Sequence, residues 1–473
     1  MPELRRSRSP EALKHTDLLV LGAGAKGTAI AMKAHVLNGL ELGTVSLTIV
    51  EALAPAGAWM DGNGVSTSRE VLAISPSKDV GFPYQARRAF GEAGAAVDRA
   101  ALSFSWQRYL VEHGRYADWV DAGAPAVQRR VYGAYLRWVL SRAVEGVSVV
   151  HGRVQRVSLA DGCERWLVEV AEPSGTREYA AGAFVLTGPG VACSIPHDLD
   201  AVPRLLDCDG GRMEIARAPI EESSDIGIVG GGESALSCVE FVRAVRPDAH
   251  VTIYTPGLPM SRVESFLENR AFSNPDAVDW TSLSVRTRRE FIARGDRGVF
   301  GPERVAVFAY DERCHFEAGR VVHVGREPDG PGVNVEYSAT SGVRSKRHDF
   351  VVNCTGFDLL EQMRLLLSPE ARAQIERRAG PVWERPPGSE LAIGRFLELE
   401  RMFPRLHLPN LAGVSQGPGF ANLGSLGLLA DRVLEPLFAT SANGSRSTLQ
   451  PTASPAPVPR RAARASRVRG HGG

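Results

Sequence analysis

Twice in this chain a short apolar strand runs into a glycine-rich turn, a helix and a second apolar strand. The first copy is DLLVLGAGAKGTAIAMKAHVL leading to VSLTIVE, and the second is DIGIVGGGESALSCVEFVRAV leading to HVTIYTP. A strand that stops at closely spaced glycines and turns directly into a helix is the start of a βαβ unit, so the pattern predicts an α/β chain with two parallel-sheet modules. Residues 16–214 and 351–440 are assigned to the first module and residues 215–350 to a second inserted into it. Residues 1–15 form an expected disordered arm, and 441–473, rich in Ser, Pro, Ala and Arg, an expected disordered basic tail.

The turns carry chemistry. In Gly22-Ala-Gly24-Ala-Lys-Gly27 the glycines permit a tight turn, close approach of backbone to a pyrophosphate, and packing of helix on strand. The helix N-terminus offers its unpaired N–H groups to the phosphates. Glu51, at the end of the next strand, is suited to accept hydrogen bonds from a ribose diol. In the second turn Gly230, Gly232 and Ser234 repeat the logic, with Ala235 in the third packing position. Its second strand ends at Tyr254-Thr255 without a carboxylate, so nothing there repels a 2′-phosphate, and Arg262 follows a few residues on. NADPH is therefore expected over NADH, Arg262 being either the phosphate ligand or a solvated loop arginine. Two Rossmann-like modules in one chain imply a flavin, FAD, on one and its reductant on the other.

Composition limits the rest. Lys and Arg number 55 against 54 for Asp and Glu, which gives no field to recruit nucleic acid or an acidic membrane. The longest early apolar run, Leu18–Leu21, is too short for a signal sequence or a transmembrane segment, so a cytoplasmic enzyme of small molecules is expected, with assembly into a homo-oligomer left open. Six scattered cysteines (163, 193, 208, 238, 314 and 354) contain no CxxC pair and no zinc spacing. That disfavours a flavin passing electrons to a dithiol and points to molecular oxygen as acceptor.

Further stretches are more specific than glycine turns: SPSKDVGFPY (75–84), SFSWQRYL (103–110), ESFLENRAFSNP (264–275), DRGVF (296–300) and SQGPGFANLGSLGLLADR (415–432). Over about residues 16–436 they make the chain resemble the N-hydroxylating flavin monooxygenases, most of all the mycobactin-type L-lysine N6-monooxygenases of siderophore pathways. The resemblance implies that NADPH reduces FAD, that oxygen adds to give a C4a-hydroperoxyflavin, and that a terminal amine attacks its distal oxygen. That amine must be neutral, although a free lysine side chain has a pKa near ~10.4; an apolar pocket favours the deprotonated form.

By the same resemblance Lys78 faces the substrate carboxylate and Asn269 contacts the same amino acid. Asp296 stands where ornithine-hydroxylating relatives carry asparagine, and suits either the substrate α-ammonium or its neighbour Arg297. Gln107 and Trp106 fall in the segment expected near the isoalloxazine, with Gln107 the candidate catalytic side chain. Trp59 resembles the family's tryptophan beside the flavin, though Met60 replaces the usual His after it. Asn422 and Ser425 lie in the stretch expected to close over substrate, or cap a helix. L-Lysine is favoured; L-ornithine, a diamine or carrier-bound lysine stay open, as does another flavoprotein monooxygenase or NADPH oxidase. A Baeyer–Villiger enzyme is disfavoured because no FxGxxxHxxxW-like string lies between the two turns.

Overall fold

The computed structural model describes residues 13–60, 71–72, 80–82, 89–198, 202–208, 211–257, 259–263, 266–296, 298–301, 305, 308, 310–328, 330–383 and 389–442. The first module is built on β1 (Lys14–Leu21), α1 (Ala25–Gly39), β2 (Leu47–Glu51), β3 (Val147–His151), β4 (Arg153–Leu159), β5 (Trp166–Glu172) and β6 (Gly175–Leu186). Its sheet has the order β3-β2-β1-β6-β5-β4, and a seventh strand, Arg405–His407, also pairs with β6. Strands β3, β2, β1 and β6 run parallel, and Leu21 stands opposite both Val50 and Leu186. Leu18, Leu19 and Val20 are wholly buried, as expected of a parallel strand covered on both faces. Because the chain steps from β1 to β2 on one side and β6 flanks β1 on the other, the end of β1 is a topological switch point, where such sheets open a ligand crevice.

The second module is a parallel sheet in the order β10-β9-β8-β14-β7. Its strands are β7 (Leu205–Asp207), β8 (Asp225–Val229), β9 (His250–Thr255), β10 (Cys314–Ala318) and β14 (Phe350–Asn353), and α2 (Glu233–Val245) follows β8. An antiparallel meander, β11 (Arg320–Arg326), β12 (Val333–Ala339) and β13 (Gly342–His348), buries Val324, Val333 and Val335 with Val229, Tyr254 and Val351. The boundaries expected at 215 and 350 therefore both cut this module: β7, before that interval, pairs with β14, which runs past its end. The chain crosses between modules where Val191–Ala192 pairs antiparallel with Phe357–Asp358. Three residues of edge strand carry too little pattern to be read, and FVVN before Thr-Gly imitates the AFVL before Thr-Gly of β6. At the N-terminus β1 begins at Lys14, inside the interval 1–15 expected as an arm; residues 1–12 and the tail beyond 442 lie outside the described residues.

Between β9 and β10 the chain leaves its own sheet. Helices α3 (Phe266–Ser273) and α4 (Val285–Gly295) dock on the C-terminal stretch of the first module. Trp280 Nε1 donates to the Val414 carbonyl at 3.1 Å, Arg288 Nη1 to the same oxygen at 2.9 Å, and Arg432 Nη2 to Asp276 Oδ1 at 2.6 Å. At the neck of this excursion Ser261 bridges Phe300, and Arg262 N donates to the Phe300 carbonyl at 2.8 Å. The final helix, α5 (Leu426–Ala442), lies along α1, and Lys33 and Asp431 form a 2.6 Å ion pair between them with both side chains fully buried. Among the described residues no helix is long and apolar enough to cross a membrane, and the six cysteines are free thiols.

Candidate active site

Both glycine turns are shaped for a guest. Gly22 has φ +103°, and Gly27 lies so close to it that an added methyl would stand 2.1 Å from the Gly22 carbonyl oxygen; these two are fixed by the turn itself. Gly24 is different: among the described residues a methyl there meets only Trp59 Nε1, at 3.8 Å. The protein's own packing leaves that side of Gly24 open, which is what a pyrophosphate lying against the backbone requires. Gly24 is the N-cap of α1, no side chain caps it, and the first turn carries no acid, so the positive helix end faces the same space. Glu51 accepts from the amides of Ala23 and Leu53, both at 2.8 Å, which fixes its carboxylate beside the turn. The second turn repeats the arrangement: Gly230 has φ +142° and abuts the Cys354 carbonyl, whereas among the described residues a methyl on Gly232 meets nothing nearer than Gly298 at 3.9 Å. Ser234 sits half-buried in the first turn of α2. Arg262 Nη2 lies 3.3 Å from Glu233 Oε1, so the arginine neutralises the one carboxylate at that helix terminus and stands beside the turn.

On the β6 side of the first turn the polar groups converge. Lys26 Nζ donates to Asn410 Oδ1 at 2.7 Å and to the Ala421 carbonyl at 3.1 Å. Asn410 in turn donates to the carbonyls of Thr187 and Gly188 at the end of β6. Burial lowers the Lys26 ammonium to about 8, with the negative charge of Asp296 opposing the drop. Asp296 ends α4, and its Oδ1 accepts from Asn422 Nδ2 at 3.2 Å, joining the docked excursion to the first module. Asn422 Oδ1 also accepts from Gly424 N at 2.8 Å.

Ser425 is buried, and its hydroxyl donates to the Phe272 carbonyl at 2.5 Å; it fastens α3 to the start of α5, and its side chain does not cap the helix. Trp106 is interior, within an aromatic cluster with Tyr109, Trp119 and Tyr135, so its indole is enclosed by protein and does not line the cleft. Gln107, one residue on, is exposed. Trp59 packs edge-on against Tyr132 at 5.2 Å and flanks Gly24. Lys78 lies outside the described residues, as does the side chain of Asn269, whose backbone is in α3. Sequence reasoning passed over Lys26, although a cation inside a phosphate-binding turn is a visible signal, and over Asn410, which nothing in the sequence marks.

Two cradles of this kind, one at a switch point and one on an inserted sheet, define a protein of the class with two dinucleotide-binding domains. Residues 97–304 match the family model of L-lysine 6-monooxygenase/L-ornithine 5-monooxygenase. The L-lysine N6-monooxygenase MbtG of Mycolicibacterium paratuberculosis is 34% identical over 93% of this chain and 97% of its own length. MbtG of Mycobacterium tuberculosis is 34% identical over 88% and 94%. Among solved structures, the lysine monooxygenase NbtG of Nocardia farcinica superposes with a TM-score of 0.73 at 34% identity, covering 88% of this chain and 99% of that one. An ornithine N-hydroxylase of Kutzneria, KtzI, described with reduced FAD, NADP+ and L-ornithine, shares the fold at 18% identity, with a TM-score of 0.71 over 90% and 99%. The chain belongs to the L-lysine 6-monooxygenase/L-ornithine 5-monooxygenase family.

Proposed function

We propose that the chain hydroxylates the terminal nitrogen of L-lysine, holding FAD at the Gly22–Gly27 turn and NADPH at the Gly230–Ala235 turn. The observation that carries this is the reach of the likeness to the MbtG lysine monooxygenases. It covers 93% of the chain, and so includes both cradles and the excursion between them. Bound FAD supplies oxygen activation, and NADPH the reducing equivalents. The chain's own task is to position and to exclude. Lys78, Asn269 and Asp296 grip the amino-acid head, Asp296 already held by Asn422; Ser425 keeps α3 closed against the start of α5; Trp59 flanks the pyrophosphate; Gln107, exposed beside the buried Trp106, is the candidate catalytic side chain. A hydroxylated lysine amine, once acylated, is an iron-binding hydroxamate, which fits siderophore assembly in a reducing cytoplasm.

The test is product analysis with L-lysine, L-ornithine and cadaverine, reading hydroxylamine formed beside NADPH consumed. L-Lysine is expected to give the highest kcat/KM, with one hydroxylamine per NADPH. A higher value for ornithine would overturn the lysine assignment. Lysine and ornithine differ by one methylene, roughly 1.3 Å of reach, and misplacement of about 1 Å costs on the order of a hundredfold in rate.

A further inference from the structure

Lys26 is a half-buried cation beside the first turn, with no carboxylate in contact among the described residues. Its two hydrogen-bond partners among the described residues, Asn410 Oδ1 and the Ala421 carbonyl, are neutral. Asp296 acts on it only at longer range and is bonded to Asn422. A half-buried ammonium held by neutral acceptors is costly unless an anion joins it. The sheet says on which side that anion lies. Glu51 ends β2, on one side of β1, whereas Asn410 anchors Lys26 to the Thr187–Gly188 end of β6, on the other. A dinucleotide whose ribose meets Glu51 and whose pyrophosphate lies against Gly24 continues toward β6, so its ring end, not its phosphates, comes to Lys26.

We propose that Lys26 is the counter-cation for the negative charge that reduction places on the flavin ring. This rests on the FAD assignment above. NADPH gives up two electrons and one proton; the nicotinamide is oxidised to NADP+, and the neutral ring becomes singly anionic. A fixed cation beside it favours the reduced form selectively, the lever by which a protein tunes a flavin through nearby charge. A cation serving the pyrophosphate instead would favour both oxidation states alike.

The experiment measures the dissociation constant of FAD in oxidised and dithionite-reduced states, and the two-electron midpoint potential, for the parent, Lys26→Met, Lys26→Gln and Lys26→Arg. Lys26→Gln keeps a donor for Asn410 and Ala421, so it carries the test if Lys26→Met does not fold. Loss of the charge is expected to weaken reduced FAD about tenfold or more beyond any effect on oxidised FAD. The potential then falls by about 30 mV or more, the two-electron equivalent of tenfold, and Lys26→Arg restores most of it. Equal weakening of both states assigns Lys26 to the pyrophosphate and overturns the proposal, as does an unchanged potential. A parent protein that binds no FAD overturns the cofactor assignment itself.

Discussion

Lys33 and Asp431 join α1, which follows the Gly22–Gly27 turn, to α5, whose preceding residue Ser425 holds α3, and they have only each other. No other hydrogen-bond partner reaches either charged group among the described residues. Lys33→Met removes the cation and leaves a buried carboxylate, a loss worth about 3–5 kcal/mol. Burial already pushes the Asp431 carboxyl above its ordinary value, with Lys33 opposing. Without Lys33 it rises further, so the carboxyl binds its proton more tightly folded than unfolded. Stability from such a group is full below the unfolded value near ~3.9 and is lost as pH rises through the folded one, at about 1.4 kcal/mol per unit. The deficit of Lys33→Met should therefore be smaller near pH 5 than near pH 8. Urea unfolding at both pH values, followed by tryptophan fluorescence, reads it as a shift in midpoint. The double replacement Lys33→Met/Asp431→Leu should recover most of the loss, because an apolar pair needs no counter-charge. A single variant as stable as the parent at pH 8, or a double variant as weak as the single, would refute the reasoning.

Gly24→Val should give folded but colourless protein, since the new side chain fills the space left open beside Trp59 Nε1; normal flavin content in that variant would place the FAD site elsewhere. NADPH should exceed NADH by about tenfold or more in kcat/KM, worth roughly 1.4 kcal/mol. Arg262→Ala should erase that preference, because it removes the cation that stands beside the turn, 3.3 Å from Glu233; steady-state kinetics with both donors decide, and equal use of them by the parent defeats the assignment. Asp296→Ala should raise KM for lysine about tenfold while NADPH oxidation continues, so that peroxide replaces hydroxylamine. An unchanged KM would remove Asp296 from the substrate grip.

What the sequence made legible is what backbone geometry demands. Gly22 and Gly230 adopt positive φ, Gly24 and Gly232 leave open space, and each answers to a pattern of a few residues in a row. Contacts between distant segments were not legible. Ser425 was expected to touch substrate or cap a helix, yet its partner is a carbonyl 153 residues away. Trp106 shares its motif with an exposed Gln107, and only the helix places one indoors and the other out. The inserted module was seen from its glycine turn, while its limits depended on the pairing of β7 with β14, which no local periodicity encodes.

The docking of α3 and α4 bears on how such an enzyme can be taken apart. These helices are threaded through the second module's connectivity, but Arg288 bonded to Val414, Phe272 bonded to Ser425 and, between the helices, Asp276 bonded to Arg432 tie them to the first module. A chimera that exchanged everything between the crossing strands at 191–192 and 357–358 would carry the donor's α3 and α4, with Asn269 and Asp296, and so import its amino-acid preference along with its nucleotide preference. Cutting also at the neck, where Ser261 meets Phe300, would separate the two. On the proposed assignment of Asn269, Asp296 and Arg262, reductant and substrate specificity would be inherited through different joints of the same insertion.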